Sequence, residues 1–290
     1  MKRIKSTLQE LFPQLKIENV SSLGSGNDSH AVLVNEKIVF KIPKHQKASN
    51  NLIREKQILD LIQGRVTLPI PCIEYNAVLP NGFTLIGYNK LDGITLTREV
   101  FDTLTLEEKD NIAKQIALFL KELHQIEIKD NDLFVDKKKK FESDYRTFLL
   151  NFSKYLNDRQ LDNAKDFFEK TIADVTLYNY KTTLVHNDFG GSNVLFDEET
   201  KMISAVIDFG DAIITDRDND FLCLLEDSDE EYGRDFGIKV LKYYGYSDEE
   251  IELAIRKTDI NHTFWPYEEL LLSEEYNDKK MFKNAIKNLK

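Results

Sequence analysis

Val185-His186-Asn187-Asp188-Phe189-Gly190-Gly191-Ser192-Asn193, followed after a turn-rich interval by Ile207-Asp208-Phe209-Gly210, decides how this 290-residue chain is read. Short apolar runs surround both segments: Thr183-Leu184-Val185 before the first, then Val194-Leu195-Phe196 and Ala205-Val206-Ile207 on either side of Asp197 to Lys201. Each has the length and composition of a strand. An aspartate with an asparagine five residues later, then Asp-Phe-Gly after a hairpin, is the order in which phosphoryl transfer places a proton-accepting carboxylate and two ligands for hard metal ions. On this reading Asp188 is the base, and Asn193 and Asp208 hold Mg²⁺ against the phosphates. The bland alternative is a set of turn residues that match by chance; the position of both motifs at strand ends weighs against it.

Upstream, the chain has the texture of a sheet with one helix. Gly24-Ser25-Gly26-Asn27-Asp28-Ser29 lies between β-rich segments, and Ala31 to Val34 and Ile38 to Ile42 form a hairpin pattern around Asn35-Glu36-Lys37. Glycines there let a strand-turn-strand lie close over phosphates, although an ordinary hairpin turn explains them equally well. Gly24, Ser25, Gly26 and Ser29 are the candidate loop contacts, with Ser29 standing where the protein-kinase loop has its third glycine. Lys41 interrupts an apolar strand one step after this hairpin. It either faces solvent or contacts nucleotide phosphates with Glu55 as its partner on the following helix, where Leu52, Ile58, Leu59 and Ile62 form an apolar face. A second strand pair flanks Pro80-Asn81-Gly82 and ends in Tyr88-Asn89-Lys90-Leu91, where the lobe boundary is expected: residues 1–91 and 92–290.

Downstream, helical periods dominate. Ile112, Ile116, Phe119, Leu120 and Leu123 form one stripe, helices are expected over residues 148–161 and 167–177, and Ser247-Asp248-Glu249-Glu250 is a capping-box signature. Lys137 to Lys140 reads as a solvated basic run. The net charge of −11 excludes a basic nucleic-acid-binding surface as first choice. No apolar run approaches a membrane span, and the basic start is followed by Ser6 to Glu10 rather than an apolar export segment. Cys72 and Cys223 show no metal-ligand spacing and are expected to be buried thiols in a reducing compartment, the cytoplasm.

These residues together resemble the aminoglycoside phosphotransferases, and within them the 2''-phosphotransferases. The likeness rests on Phe40-Lys41-Ile42-Pro43-Lys44, Leu123-His124, Val185 to Phe189, Ile207-Asp208-Phe209-Gly210-Asp211-Ala212, and Asp216-Arg217-Asp218-Asn219-Asp220-Phe221, whose family counterpart has proline at the second position. The resemblance implies an α+β, bilobal, protein-kinase-like fold, with an antiparallel N-lobe sheet plus helix and a mainly helical C-lobe. It implies transfer of the γ-phosphate of GTP or ATP, with Mg²⁺, to the 2''-hydroxyl of 4,6-disubstituted aminoglycosides such as kanamycin, gentamicin and tobramycin, by a monomer with no nucleic-acid or membrane partner. Tyr88, Asn89 and Leu91 then line the base pocket, and a large Tyr88 favours GTP; the alternative is a core aromatic that admits adenine. Asp211, Glu226, Glu230, Glu231 and Trp265 fall at acceptor-pocket positions, with Trp265 open to a core reading as well.

An acidic acceptor surface suits a polycation. Residues 208–235 hold eleven acidic side chains against Arg217 and Arg234, a local charge of −9. Such a field concentrates cationic ligands over a Debye length of about 8 Å. A solvated acidic loop remains the plain alternative. Two rival functions stay open: a kinase of another hydroxylated small molecule, such as choline or a macrolide, and a catalytically silent binding module.

Overall fold

A computed structural model describes residues 1–128, 131–228 and 231–289. In chain order the elements are α1 (Lys2–Leu11), β1 (Val20–Ser25), β2 (Ser29–Val34), β3 (Ile38–Pro43), α2 (Gln46–Ile62), β4 (Ile73–Val78), β5 (Thr84–Asn89), β6 (Ile94–Thr95), α3 (Arg98–Asp102) and α4 (Leu106–His124). There follow α5 (Lys137–Asn151), α6 (Asp158–Ala173), β7 (Thr182–Val185), β8 (Val194–Asp197), β9 (Met202–Val206), β10 (Ile213–Asp216), α7 (Leu222–Leu225), α8 (Arg234–Tyr244), α9 (Asp248–Glu275) and α10 (Lys279–Asn288). They pack into two compact units. One comprises Met1–Ile126 with His186–Ala212, the other Glu127–Val185 with Ile213–Lys290.

The first unit contains an antiparallel sheet in the order β1-β2-β3-β5-β4. The β2–β3 hairpin turns through Asn35 and Glu36, both at positive φ (52° and 60°), which matches the right-handed twist of the flanking strands. Asn35 tolerates that conformation, and its side chain accepts from the backbone N–H groups of Glu18 and Asn19 and donates to Lys16 O, fixing the approach to β1. Leu8, Phe12, Ile17, Val32, Val34, Phe40 and Leu85 close a core between α1 and one face of the sheet.

Helix α2 buries Leu52, Glu55, Ile58, Leu59 and Ile62. The expected apolar face is therefore present, with one carboxylate in it. Helix α4 carries the expected stripe, every member buried, and begins at a Thr105–Glu108 capping box. A smaller sheet, β6-β8-β9, completes the unit.

The second unit is mainly helical. Phe148, Phe152, Phe168, Phe264, Tyr267 and Leu270 form its aromatic core, drawn from α5, α6 and α9. Strand β7 pairs antiparallel with β10, Val185 opposite Ile213, so the segment His186–Ala212 leaves and re-enters between two neighbouring strands.

Three expectations need correction. The helices expected at 148–161 and 167–177 instead run Lys137–Asn151 and Asp158–Ala173, because Asn157 and Gln160 form a capping box that starts a new helix. Lys137 is not part of a solvated run. It opens α5 and reaches Asn219 Oδ1 at 2.8 Å and Asp216 Oδ2 at 3.3 Å. The cysteines are not buried thiols: Cys72 is exposed and Cys223 half-buried. Among the described residues no helix is long and apolar enough to cross a membrane.

Candidate functional site

Lys41 and Glu55 meet first. Lys41 lies in β3, opposite Ala31 of β2 and Ile86 of β5, and is 7% exposed; Glu55 is 1% exposed. A buried charge is tolerated only when paired, and Lys41 Nζ lies 2.6 Å from Glu55 Oε1 and 2.8 Å from Asp208 Oδ1. The solvent-facing alternative for Lys41 is thereby removed. Burial works to lower the Lys41 pKa, but the Glu55 and Asp208 carboxylates overcome it and hold the ammonium above its usual value. Burial pushes the Glu55 carboxyl up, and Lys41 opposes that shift. For Asp208 the balance reverses: burial raises and Lys41 lowers, with a net shift below the usual carboxylate range. Glu55 Oε2 is buried with no hydrogen-bond partner among the described residues.

The segment His186–Ala212 supplies the other half of the site. His186 is fully buried, its Nε2 2.9 Å from Ile207 O and its ring packed on Phe209 and Phe189. Phe189 in turn stacks on Phe119 of α4, at 5.9 Å between ring centroids. Apolar anchors thus hold the backbone on either side of Asp188, which itself remains exposed. The Ile207 N–H donates to Asn193 O at 3.0 Å, joining the two motifs through the backbone. Asn193 Nδ2 donates to Asp188 O and to Asp188 Oδ2, both at 2.8 Å. That geometry orients the Asp188 carboxylate and turns the Asn193 carbonyl oxygen away from it. Asn187 and Asp208 both adopt the left-handed conformation (φ 67° and 66°), a backbone cost that the surrounding contacts must offset.

Asp211 follows one turn after Asp208. Burial, then the charges of Asp188, Asp208 and Asp28, push its carboxyl pKa up. These four aspartates and Lys41 make a dense charged region within a single unit.

The donor set fits a hard divalent cation. Among the described residues no three His, Cys, Asp or Glu side chains form a metal cage. Mg²⁺ does not need one, since it binds through one or two protein oxygens plus substrate phosphates and water. Asp208 Oδ2 and Asn193 Oδ1 are oxygens of the required kind.

The glycine-rich turn spans the end of β1 and the start of β2. A Cβ added at Gly24 or Gly26 meets no atom within 4 Å, so packing does not demand glycine at either position. Lys44 Nζ donates to Gly26 O, the Lys44 N–H to Asp28 O, and Asp28 Oδ1 lies 3.3 Å from His45 Nε2. Ser29 pairs with Pro43 in the β2–β3 ladder. Tyr88 is buried in β5, its phenol pushed up to about 12 by burial and by the nearby Glu55 and Asp208 charges, against Lys41. Asn89 ends β5 and donates to Glu74, and Leu91 is half-buried just after it.

The other residues expected to contact an acceptor, Glu230 aside, lie in the second unit. Glu226 directly follows α7, Glu231 is half-buried with Oε2 enclosed, and Trp265 on α9 is 51% exposed, which rules out the core reading. Glu230 lies outside the described residues. Sequence reasoning missed the anchors Phe189, Phe209 and His186, although their place within the two motifs was a signal. It also missed a buried cluster: Lys257 Nζ, 2.7 Å from Asp216 Oδ2 and 2.5 Å from Asp218 Oδ2, with Tyr246 Oη donating to Asp218.

Comparison with known proteins adds a family and a set of relatives. Residues 19–254 match the profile of the APH group, described as the phosphotransferase enzyme family. The gentamicin complex of APH(2'')-IIa is 33% identical, with 98% of this chain and 95% of that chain covered and a TM-score of 0.88. The same enzyme in a streptomycin–ATP ternary complex is similar at 32% identity, 98% and 95% coverage and a TM-score of 0.86. The GDP and kanamycin complex of APH(2'')-IIIa is 27% identical, with 100% and 97% covered and a TM-score of 0.90. The fold is that of these kinase-like enzymes, an α+β architecture with an antiparallel sheet near the N-terminus and a helical C-terminal region.

Proposed function

The chain belongs to the APH phosphotransferase enzyme family, and on that premise we propose that it transfers the γ-phosphate of a nucleoside triphosphate to the 2''-hydroxyl of 4,6-disubstituted aminoglycosides. The observation that carries this reading is the joining of Lys41, Glu55 and Asp208 by direct contacts, in the same unit as the Asp188–Asn193 pair. Separate sequence motifs thus converge on one chemistry.

In this mechanism Asp188 accepts or orients the proton of the attacking hydroxyl. Asn193 clasps one carboxylate oxygen and the backbone, so the side chain is held before the acceptor arrives and little reorganisation is needed during transfer. Lys41 stays cationic and positions phosphate oxygens, with Glu55 preventing it from swinging away. Asn193 and Asp208 would hold Mg²⁺, whose charge would offset that of the phosphates. The glycine-rich turn covers the phosphates, and Tyr88, Asn89 and Leu91 line the base. The bulk of Tyr88 supports GTP over ATP; a higher kcat/KM for ATP would refute that part.

On the acceptor side, Asp211, Glu226, Glu230 and Glu231 meet the ammonium groups and Trp265 covers an apolar sugar face. The relatives' gentamicin and kanamycin complexes support this substrate class. The test is a phosphotransfer assay with kanamycin and gentamicin, ATP and GTP in parallel, and NMR of the product. Transfer to the 2''-oxygen is the expected result. Transfer only to choline or a macrolide, or nucleotide binding without transfer, would replace the proposal with one of its rivals.

A further inference from the structure

The corner Leu225–Glu226 is fastened to α9 by two side-chain ties whose basic members, Arg234 and His262, the proposed reaction leaves unused. Arg234 Nε donates to Leu225 O at 3.1 Å while its Nη2 lies 2.6 Å from Asp259 Oδ1 on α9. One residue further along the corner, Glu226 Oε1 lies 3.3 Å from Nδ1 of His262, also on α9. His262 is three residues before Trp265, so both fall on one helix face. The side chain of His262 is 73% exposed and that of Glu226 39% exposed. A basic ring therefore stands against a proposed acceptor carboxylate at a place open to solvent.

We propose that His262 is a specificity-determining residue of the acceptor site, competing with the ammonium groups of a polycationic acceptor for the Glu226 carboxylate. The inference rests on the reading of Glu226 as an acceptor contact. A neutral imidazole donates one hydrogen bond to Glu226, which an incoming ammonium can displace. An imidazolium neutralises the carboxylate and repels the same ammonium. Imidazole is the side chain whose ordinary charge change falls between about pH 5 and 8. Among the described residues, the ion pairs at this corner bring to it Glu226, which contacts the ring, and Asp259, one turn earlier on α9, which engages Arg234 at the start of α8.

The test is steady-state kinetics with gentamicin and with nucleotide, at about pH 6 and about pH 8, for wild type, His262→Asn and His262→Arg. Exposed pairs of this kind shift equilibria by up to about fivefold. The gentamicin KM of wild type should rise from high to low pH by about two- to fivefold more than that of His262→Asn. His262→Arg should show the raised KM at both values. Protonation of the drug's own amines is common to all three proteins and cancels in the comparison. At each pH, nucleotide KM and kcat should be alike in the three proteins, which a general loss of structure would not leave unchanged. Parallel pH profiles for wild type and His262→Asn would overturn the inference alone. Absence of wild-type transfer to any aminoglycoside would remove the underlying reading, and the inference with it.

Discussion

Replacing Lys41 by methionine leaves Glu55 in place without its cation, and the consequence should depend on pH. The two charges are 2.6 Å apart with side chains 9% and 1% exposed. At an effective dielectric of about 20, charges at that distance attract by about 6 kcal/mol. Desolvation offsets much of this, and the measured cost of removing one partner from a buried pair is about 3–5 kcal/mol. Glu55 has a second course, which is to take up a proton. Burial already pushes its pKa up, and Lys41 is the group that pulls it down most strongly. Without Lys41 the carboxyl rises further. A folded-state pKa above the unfolded value means that the folded protein binds more protons in the interval between them, so stability falls as pH rises through that window. The stability deficit of Lys41→Met relative to wild type should therefore be smallest at low pH, where Glu55 is protonated in both proteins, and grow towards about 3–5 kcal/mol as pH rises through the further-raised Glu55 pKa of the variant. At its steepest the slope is about 1.4 kcal/mol per pH unit. Urea unfolding at several pH values measures it. Adding Glu55→Gln to Lys41→Met removes the titrating group and should flatten the slope. A deficit independent of pH, or a slope that survives in the double variant, would refute the argument that Glu55 is the buried charge at stake.

Four further outcomes follow from the structure. Asp188→Ala should lower kcat by about 10²–10⁴-fold, the usual range for a general base, while nucleotide affinity measured by calorimetry stays within about twofold. Asp211→Asn should raise the aminoglycoside KM more than the nucleotide KM, because it removes one of the carboxylates crowded with Asp188 and Asp208; equal effects on both would indicate a loss of metal binding or folding. Gly87→Ala should destabilise by about 1–3 kcal/mol through overpacking, since its Cβ would sit 2.6 Å from the ring of the fully buried Phe40. Gly24→Ala, with open space around its Cβ, should stay within about 0.5 kcal/mol of wild type in the same unfolding assay.

The sheet, the helix α2 with its apolar face, the stripe of α4, the capped start of α9 and the two aspartate motifs were all legible in the sequence. Each depends on neighbours a few residues away: alternation, helical spacing, a cap, a carboxylate and an amide five positions apart. The proposed acceptor surface was marked from composition only as a charge excess, because an acidic run in solvent and an acidic run facing a ligand have the same composition. Lys137 shows the limit well. Its run of four lysines looks solvated, yet the first of them is drawn into the second unit by Asp216 and Asn219, from a segment about eighty residues further on. The apolar stretches after Phe148 read as one helix, although Asn157 and Gln160, three residues apart, are the capping pair that sets the break.

What the sequence determined by itself is the family: a strand lysine, an Asp–Asn pair and an Asp-Phe-Gly, in that order along the chain, are sufficient to recognise a phosphotransferase of this group. What the tertiary structure decided is which charges meet. Lys41 touches Asp208 across 167 residues, and Glu226 faces His262 across 36. No local periodicity encodes either contact. They exist because strands and helices bring distant segments within a few ångströms, where charges interact strongly; at the first contact this holds the Lys41 ammonium above and the Asp208 carboxyl below its usual pKa.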